Sequence, residues 1–158
     1  MCDHHELLMA EALELARENV KTGEGGPFGA IIVKNGKVIS RASNKVLKLN
    51  DPTAHAEIMA IRSACQQLGS YFLDECEIYT SCEPCPMCLG AIYWAHISKI
   101  WYCASRADAA KAGFDDSFIY DQININLKDR SISCEQLLRK EAMKAFDEWI
   151  SFEDKKPY

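Results

Sequence analysis

The 158-residue sequence contains no apolar run near the ~20 residues that a membrane-spanning helix needs, so a bundle of transmembrane helices is excluded. It also lacks a dense run of lysine and arginine, the nearest approach being Lys155-Lys156. With 18 basic against 23 acidic residues, the formal net charge is −5. A protein that grips a nucleic-acid backbone presents a basic face, so the expected partner is a small molecule rather than RNA or DNA. Internal repeats, low-complexity tracts and linkers are missing, and a chain of this length fits one domain, residues 1–158, with a sizeable core. The opening Met1-Cys2-Asp3-His4-His5-Glu6 has no basic region followed by an apolar one, so no secretory signal is read and the expected address is cytoplasmic.

Cysteine, by contrast, is plentiful: there are 8. Cys82, Cys85 and Cys88 cluster, while Cys2, Cys65, Cys76, Cys103 and Cys134 are scattered. A chain of this length with no secretory signal is a poor candidate for a disulfide framework. Cys65 and Cys103 lie in apolar segments and read as small buried hydrophobes.

Hydrophobic periodicity orders the chain. Residues from Asp3 to Lys21 read as a helix with Met9, Ala12, Leu13, Ala16 and Val20 on its buried stripe. Gly23 to Pro27 breaks it. Phe28 to Val33 is apolar throughout, as in a strand covered on both faces. Asn35-Gly36 then supplies the positive φ angles of a tight hairpin, with a second strand running to Asn44. Thr53 is the expected N-cap of a second helix, which buries Ile58, Ile61, Cys65 and Leu68 and ends at Gly69. Ile78 to Thr80 reads as a strand, and the cysteine cluster opens a third helix with Pro86 in its first turn. A strand over Lys99 to Ala104, a short helix over Ala107 to Ala112, a weak strand near Ile132 to Cys134, and a last helix marked by Leu138, Ala142, Ala145, Phe146 and Trp149 complete the reading. This order suggests a mixed sheet covered by helices. His96 reads as a structural residue at a helix end, and His4 and His5 as exposed polar residues.

The residues that carry chemistry sit at two helix starts. Cys85 and Cys88, three apart in a first helical turn, share a face and can chelate one ion. A helix N-terminus also favours thiolates. His55 adds a third ligand, and three protein ligands leave the fourth position of a zinc ion open for water or hydroxide. Glu57 is two residues from the histidine and available to move protons, as hydrolytic amine release requires. The spacing His-x-Glu followed by Pro-Cys-x-x-Cys is the mark of nucleobase deaminases. Other readings stay open. Cys82 extends the cluster to Cys-x-x-Cys-x-x-Cys, so a closed four-ligand structural site, an iron–sulfur cluster or a redox pair would use the same residues.

At Gly25-Gly26-Pro27-Phe28-Gly29-Ala30, Asn50-Asp51-Pro52-Thr53-Ala54-His55-Ala56-Glu57, Thr80 to Ala95, and Ala112-Gly113-Phe114-Asp115-Asp116-Ser117-Phe118-Ile119-Tyr120, the chain resembles the cytidine deaminase-like superfamily. It looks closest to the small bacterial guanine deaminases, as does the ending Lys155-Lys156-Pro157-Tyr158. The stretch from Gln122 to Met143 is least recognisable. The resemblance implies an α/β fold, a three-layer α/β/α sandwich around a five-stranded mixed sheet. It implies conversion of guanine and water to xanthine and ammonia, with zinc-bound hydroxide attacking C2. It gives His55, Cys85 and Cys88 as ligands of one zinc ion per subunit and Glu57 as the proton shuttle. Asp116 is implied as a second proton carrier, and Phe28, Asn44, Trp94 and Tyr158 as substrate-binding residues. It also implies a homodimer in which the C-terminal segment, about residues 120–158, is swapped between subunits. The alternatives are a deaminase of guanosine, cytosine or tRNA adenosine, and a non-catalytic zinc-stabilised binding domain. Acidic charge weighs against the tRNA reading.

Overall fold

A computed structural model describes residues 3–158. They form two compact units, one ending at Asp116 and the other spanning Ser117–Tyr158.

The first unit is built on helix α1 (His4–Thr22), strands β1 (Gly29–Lys34) and β2 (Lys37–Ser43), helices α2 (Val46–Leu49) and α3 (Ala56–Leu68), strand β3 (Cys76–Cys82), helix α4 (Pro86–Trp94), strand β4 (Lys99–Ala104) and helix α5 (Arg106–Lys111). The strands form one sheet in the order β2-β1-β3-β4. β1 pairs antiparallel with β2 and β3, whereas β3 and β4 run parallel. The Asn35-Gly36 turn forms as expected, both residues having positive φ, with Lys34 paired to Lys37 across it.

Alternation along the strands divides two cores. Ala30, Ile32 and Ile78 face α3 and the end of α4, packing with Ala56, Ala60, Ala64, Leu73, Ile92 and Ala95. Ile31, Val33 and Tyr79 face the other way, against Leu8 and Ala12 of α1. The unit is therefore a three-layer α/β/α sandwich whose central strand β1 is buried on both faces, as its unbroken apolar run requires. α1 lies very close to the sheet: a Cβ on Gly29 would stand 2.2 Å from the Ala12 carbonyl oxygen.

The sheet has four strands among the described residues, not the expected five. Ile132 to Cys134 forms no strand; Ile132 is exposed, and with no buried side chain nothing fixes a ladder register there. α1 is also rotated from expectation. Its buried stripe is Leu8, Ala12, Ala16 and Asn19, while Val20 is exposed. α3 starts two residues later than the Thr53 cap implied, with His55 as N-cap, and Leu68 is exposed. Cys103 is exposed rather than buried, because it lies on edge strand β4. His5 is half-buried: its Nδ1 lies 2.6 Å from the Tyr79 hydroxyl and its ring stacks on Trp101.

The second unit comprises helix α6 (Ser117–Asn124), a 3-10 turn (Leu127–Asp129) and helix α7 (Arg139–Ser151). None of these three elements has a buried residue. No helix among the described residues is long and apolar enough to cross a membrane.

Candidate active site

The chemistry gathers at the C-terminal end of the parallel pair β3 and β4, where ligands of open α/β sheets are ordinarily held. β3 runs directly into the Cys85–Cys88 turn that begins α4, with Cys85 as N-cap and Pro86 at the first helical position. α3 brings its own start to the same place, with His55 as N-cap. The ligand atoms of His55, Cys85 and Cys88 lie within 4.8 Å of one another. The His55 Nδ1 is 3.6 Å from Cys85 Sγ and 3.5 Å from Cys88 Sγ.

This donor set suits zinc, which takes thiolate sulfur and imidazole nitrogen in tetrahedral geometry. The electrostatics agree. The Cys85 thiol is lowered to about 4, first by a hydrogen bond from Cys88 and further by His55 and the Cys88 backbone. Cys88 is raised, because its proton is held by Cys85 and because it is buried. His55 is raised by its bond to Cys85. The two thiols thus share one proton, and removing it would set two anions side by side. A divalent cation supplies the compensating charge, and a coordinating thiol gives up its proton outright.

Cys82 stands apart from this group. Its Sγ donates to the Ser105 carbonyl at 3.6 Å, and burial raises the thiol to about 11. It is not among the clustered ligands, so the four-ligand reading loses its fourth donor.

Glu57 is buried in the first turn of α3, and burial, then the Cys85 thiolate, raises its carboxyl. Thr80, also buried, places its hydroxyl 3.4 Å from Glu57 Oε1 and 3.1 Å from the Cys82 carbonyl. A hydroxyl has one proton. It can donate to a charged Glu57, or turn to the Cys82 carbonyl and accept from a neutral one. Either protonation state of the carboxyl therefore keeps a partner.

Phe28 and Asn44 reach the same end of the sheet. In the β1–β3 register Ala30 pairs with Thr80, which sets Phe28 beside the Cys82-to-Cys85 segment. The Asn44 N–H donates to the Phe28 carbonyl at 3.0 Å, and the next N–H, that of Lys45, donates to the Ala54 carbonyl beside His55 at 2.9 Å. Phe28 meets Phe114 edge-to-face, ring centroids 5.0 Å apart. Asp116 is partly buried; burial raises its carboxyl, Arg106 opposes that, and the Cys85 charge adds to it.

Two further residues from the sequence reading, Trp94 and Tyr158, are exposed in the chain. Trp94 ends α4, about 12 Å of helix rise from Pro86, and is exposed. Tyr158 belongs to the second unit and is exposed. Sequence reasoning missed Thr80 and Asn19. Thr80 looked like strand filling. Asn19 had a signal that went unread, since it stands seven residues after Ala12 and three after Ala16, on the buried stripe.

Comparison with known proteins agrees with this site. Residues 2–104 match the family model described as the cytidine and deoxycytidylate deaminase zinc-binding region. The chain is 53% identical over 155 residues to the guanine deaminase of Bacillus subtilis, covering 98% of this chain and 99% of that protein. It superposes on the X-ray structure of that protein with a TM-score of 0.95, covering 98% of both chains. The tRNA-specific adenosine deaminase of Aquifex aeolicus is 46% identical over 99 residues, covering 63% of this chain and 65% of that one. A guanine deaminase structure from Nitrosomonas europaea matches with a TM-score of 0.66 at 34% identity, covering 69% of this chain and 63% of that one. The chain belongs to the cytidine and deoxycytidylate deaminase zinc-binding family.

Proposed function

We infer that this chain is a zinc-dependent guanine deaminase, releasing ammonia from C2 of guanine to leave xanthine. The observation that carries the choice of base is where likeness ends. The family model stops at residue 104, and the tRNA deaminase of Aquifex aeolicus matches 63% of the chain. Likeness to the Bacillus subtilis guanine deaminase covers 98% of it, so it continues through Asp116 and the second unit.

Zinc held by His55, Cys85 and Cys88 would polarise a water and make it nucleophilic near neutral pH. Glu57 takes the proton of the attacking water and delivers it to a ring nitrogen; it then takes the second proton from the new C2 hydroxyl and gives it to the departing amine, which leaves as ammonia while C2 becomes a carbonyl. Its burial suits this work, because a carboxyl whose charged form is poorly solvated takes up a proton more readily than an exposed one. Phe28 offers a ring to the base. The Asn44 oxygen is occupied by main-chain donors, at 3.3 Å from the Gly26 nitrogen and 3.1 Å from the Val46 nitrogen, so its amide hydrogens are the group left to bind an acceptor on the purine. Asp116 is assigned as a second proton carrier, and Trp94 and Tyr158 as further substrate-binding residues. A panel of guanine, guanosine, cytosine and adenosine, read by ammonia release, tests the assignment. Guanine is expected to be turned over fastest, and preference for any of the others would overturn the choice of base.

The same reading makes the enzyme a homodimer with its C-terminal segment exchanged, so that Tyr158 reaches the partner's site, whereas Asp116, the last residue of the first unit, stays with the Cys85 of its own chain. The second unit supports this. Ile132, Leu137, Leu138, Phe146, Trp149, Ile150 and Phe152 are all exposed, more apolar surface than a small unit leaves uncovered in water. Sedimentation at assay concentrations is expected to show a dimer. A fully active monomer would reject the exchange.

A further inference from the structure

Asn19 sits on the buried stripe of α1 with 2% of its surface exposed. Its Nδ2 donates to the Gly26 carbonyl and to the Asn44 carbonyl, both at 2.8 Å. Its Oδ1 is buried with no hydrogen-bond partner. A buried polar atom left unpaired is costly, and a leucine of similar size would remove that cost. What leucine cannot supply is two donors aimed at two separate stretches of chain.

Those stretches are the ones that carry the proposed purine contacts. Gly26 leads into Phe28, whose N–H donates to the same Gly26 carbonyl at 2.8 Å. Asn44 ends β2. The Gly26 N–H in turn reaches Asn44 Oδ1, at 3.3 Å the longer of the two bonds that hold this oxygen. The approach is close enough that a Cβ on Gly25 would lie 2.3 Å from Asn44 Oδ1. An asparagine carboxamide turned by half a rotation exchanges donor for acceptor. The Gly26 N–H is thus one of the two main-chain donors that set the orientation of the Asn44 amide, and Asn19 is the side chain that fixes Gly26 against Asn44.

We propose that Asn19 is a positioning residue for base recognition: its amide bridges Gly26 and Asn44 and so keeps the Asn44 amide turned toward the substrate. This rests on Asn44 binding the purine. Asn19 bonds none of the zinc ligands nor Glu57, so its loss acts on binding rather than on proton transfer.

The test compares Asn19→Leu, Asn44→Ala and the double variant by KM, kcat and zinc content. Asn19→Leu is expected to raise KM for guanine about tenfold with kcat within about threefold, the pattern of lost uniform binding. Zinc content should not change. The double variant should have the KM of Asn44→Ala, since Asn19 acts through that residue. Unchanged KM in Asn19→Leu beside a raised KM in Asn44→Ala would overturn the positioning role and leave the base contact standing. Unchanged KM in Asn44→Ala would overturn the base contact and the positioning role together. Independent, multiplying penalties in the double variant would also overturn it. If the leucine variant is insoluble, Asn19→Ser is read by the same criteria.

Discussion

Glu57→Gln is expected to lower kcat by about a thousandfold while zinc stays bound. The substitution keeps the shape of the side chain and its bond with the Thr80 hydroxyl, which can donate to an amide oxygen as to a carboxylate. It removes the one capacity the reaction needs, that of gaining and losing a proton. In the proposed sequence the same carboxyl acts in every proton transfer, on the water, the ring, the new hydroxyl and the leaving amine, so no single step survives its loss. Glu57 is not one of the three clustered metal donors, hence the metal should remain. Metal analysis and steady-state rates on one preparation check both halves. Near-normal turnover would refute the shuttle role, and loss of zinc with turnover would make Glu57 part of the metal site.

How far the sequence could be read depended on how local the cause was. The Asn35-Gly36 turn, the helix start at Pro86 and the apolar run of β1 each follow from neighbouring residues, and each formed as read. The grouping of His55, Cys85 and Cys88 was legible for a related reason: zinc chemistry restricts ligand type and spacing so strongly that a short motif reports a three-dimensional fact. The rotation of α1 was not legible. Val20 and Asn19 are adjacent on the helix, and hydrophobicity chose Val20, whereas the carbonyls of Gly26 and Asn44 chose Asn19. Asn44 lies far along the chain, outside any window around α1, and Gly26, though close in sequence, offers its carbonyl only once the break after the helix has folded back. The fifth strand failed on similar grounds. A strand needs a partner to fix its register, and Ile132 to Cys134 shows none of the burial that would mark one.

Cys85→Ser and Cys88→Ser are expected to empty the metal site and abolish turnover, whereas Cys82→Ser should leave zinc near one per chain. The three thiols differ in kind. Cys85 ionises at about 4 and is already a thiolate at neutral pH; Cys88 keeps its proton because Cys85 holds it; Cys82 stays a buried thiol, raised to about 11. Serine cannot supply a thiolate, so either ligand variant leaves two donors, too few for a tight site. The same asymmetry gives a proton count. Adding zinc to the metal-free enzyme at neutral pH must displace the proton of Cys88 but none from Cys85. Calorimetry in buffers of different ionisation heat should therefore show about one thiol proton fewer released per zinc than a site with two ordinary thiols would release. If Cys82→Ser empties the site as Cys85→Ser does, zinc has four protein ligands and no open position for water, and a hydrolytic mechanism at this centre is ruled out.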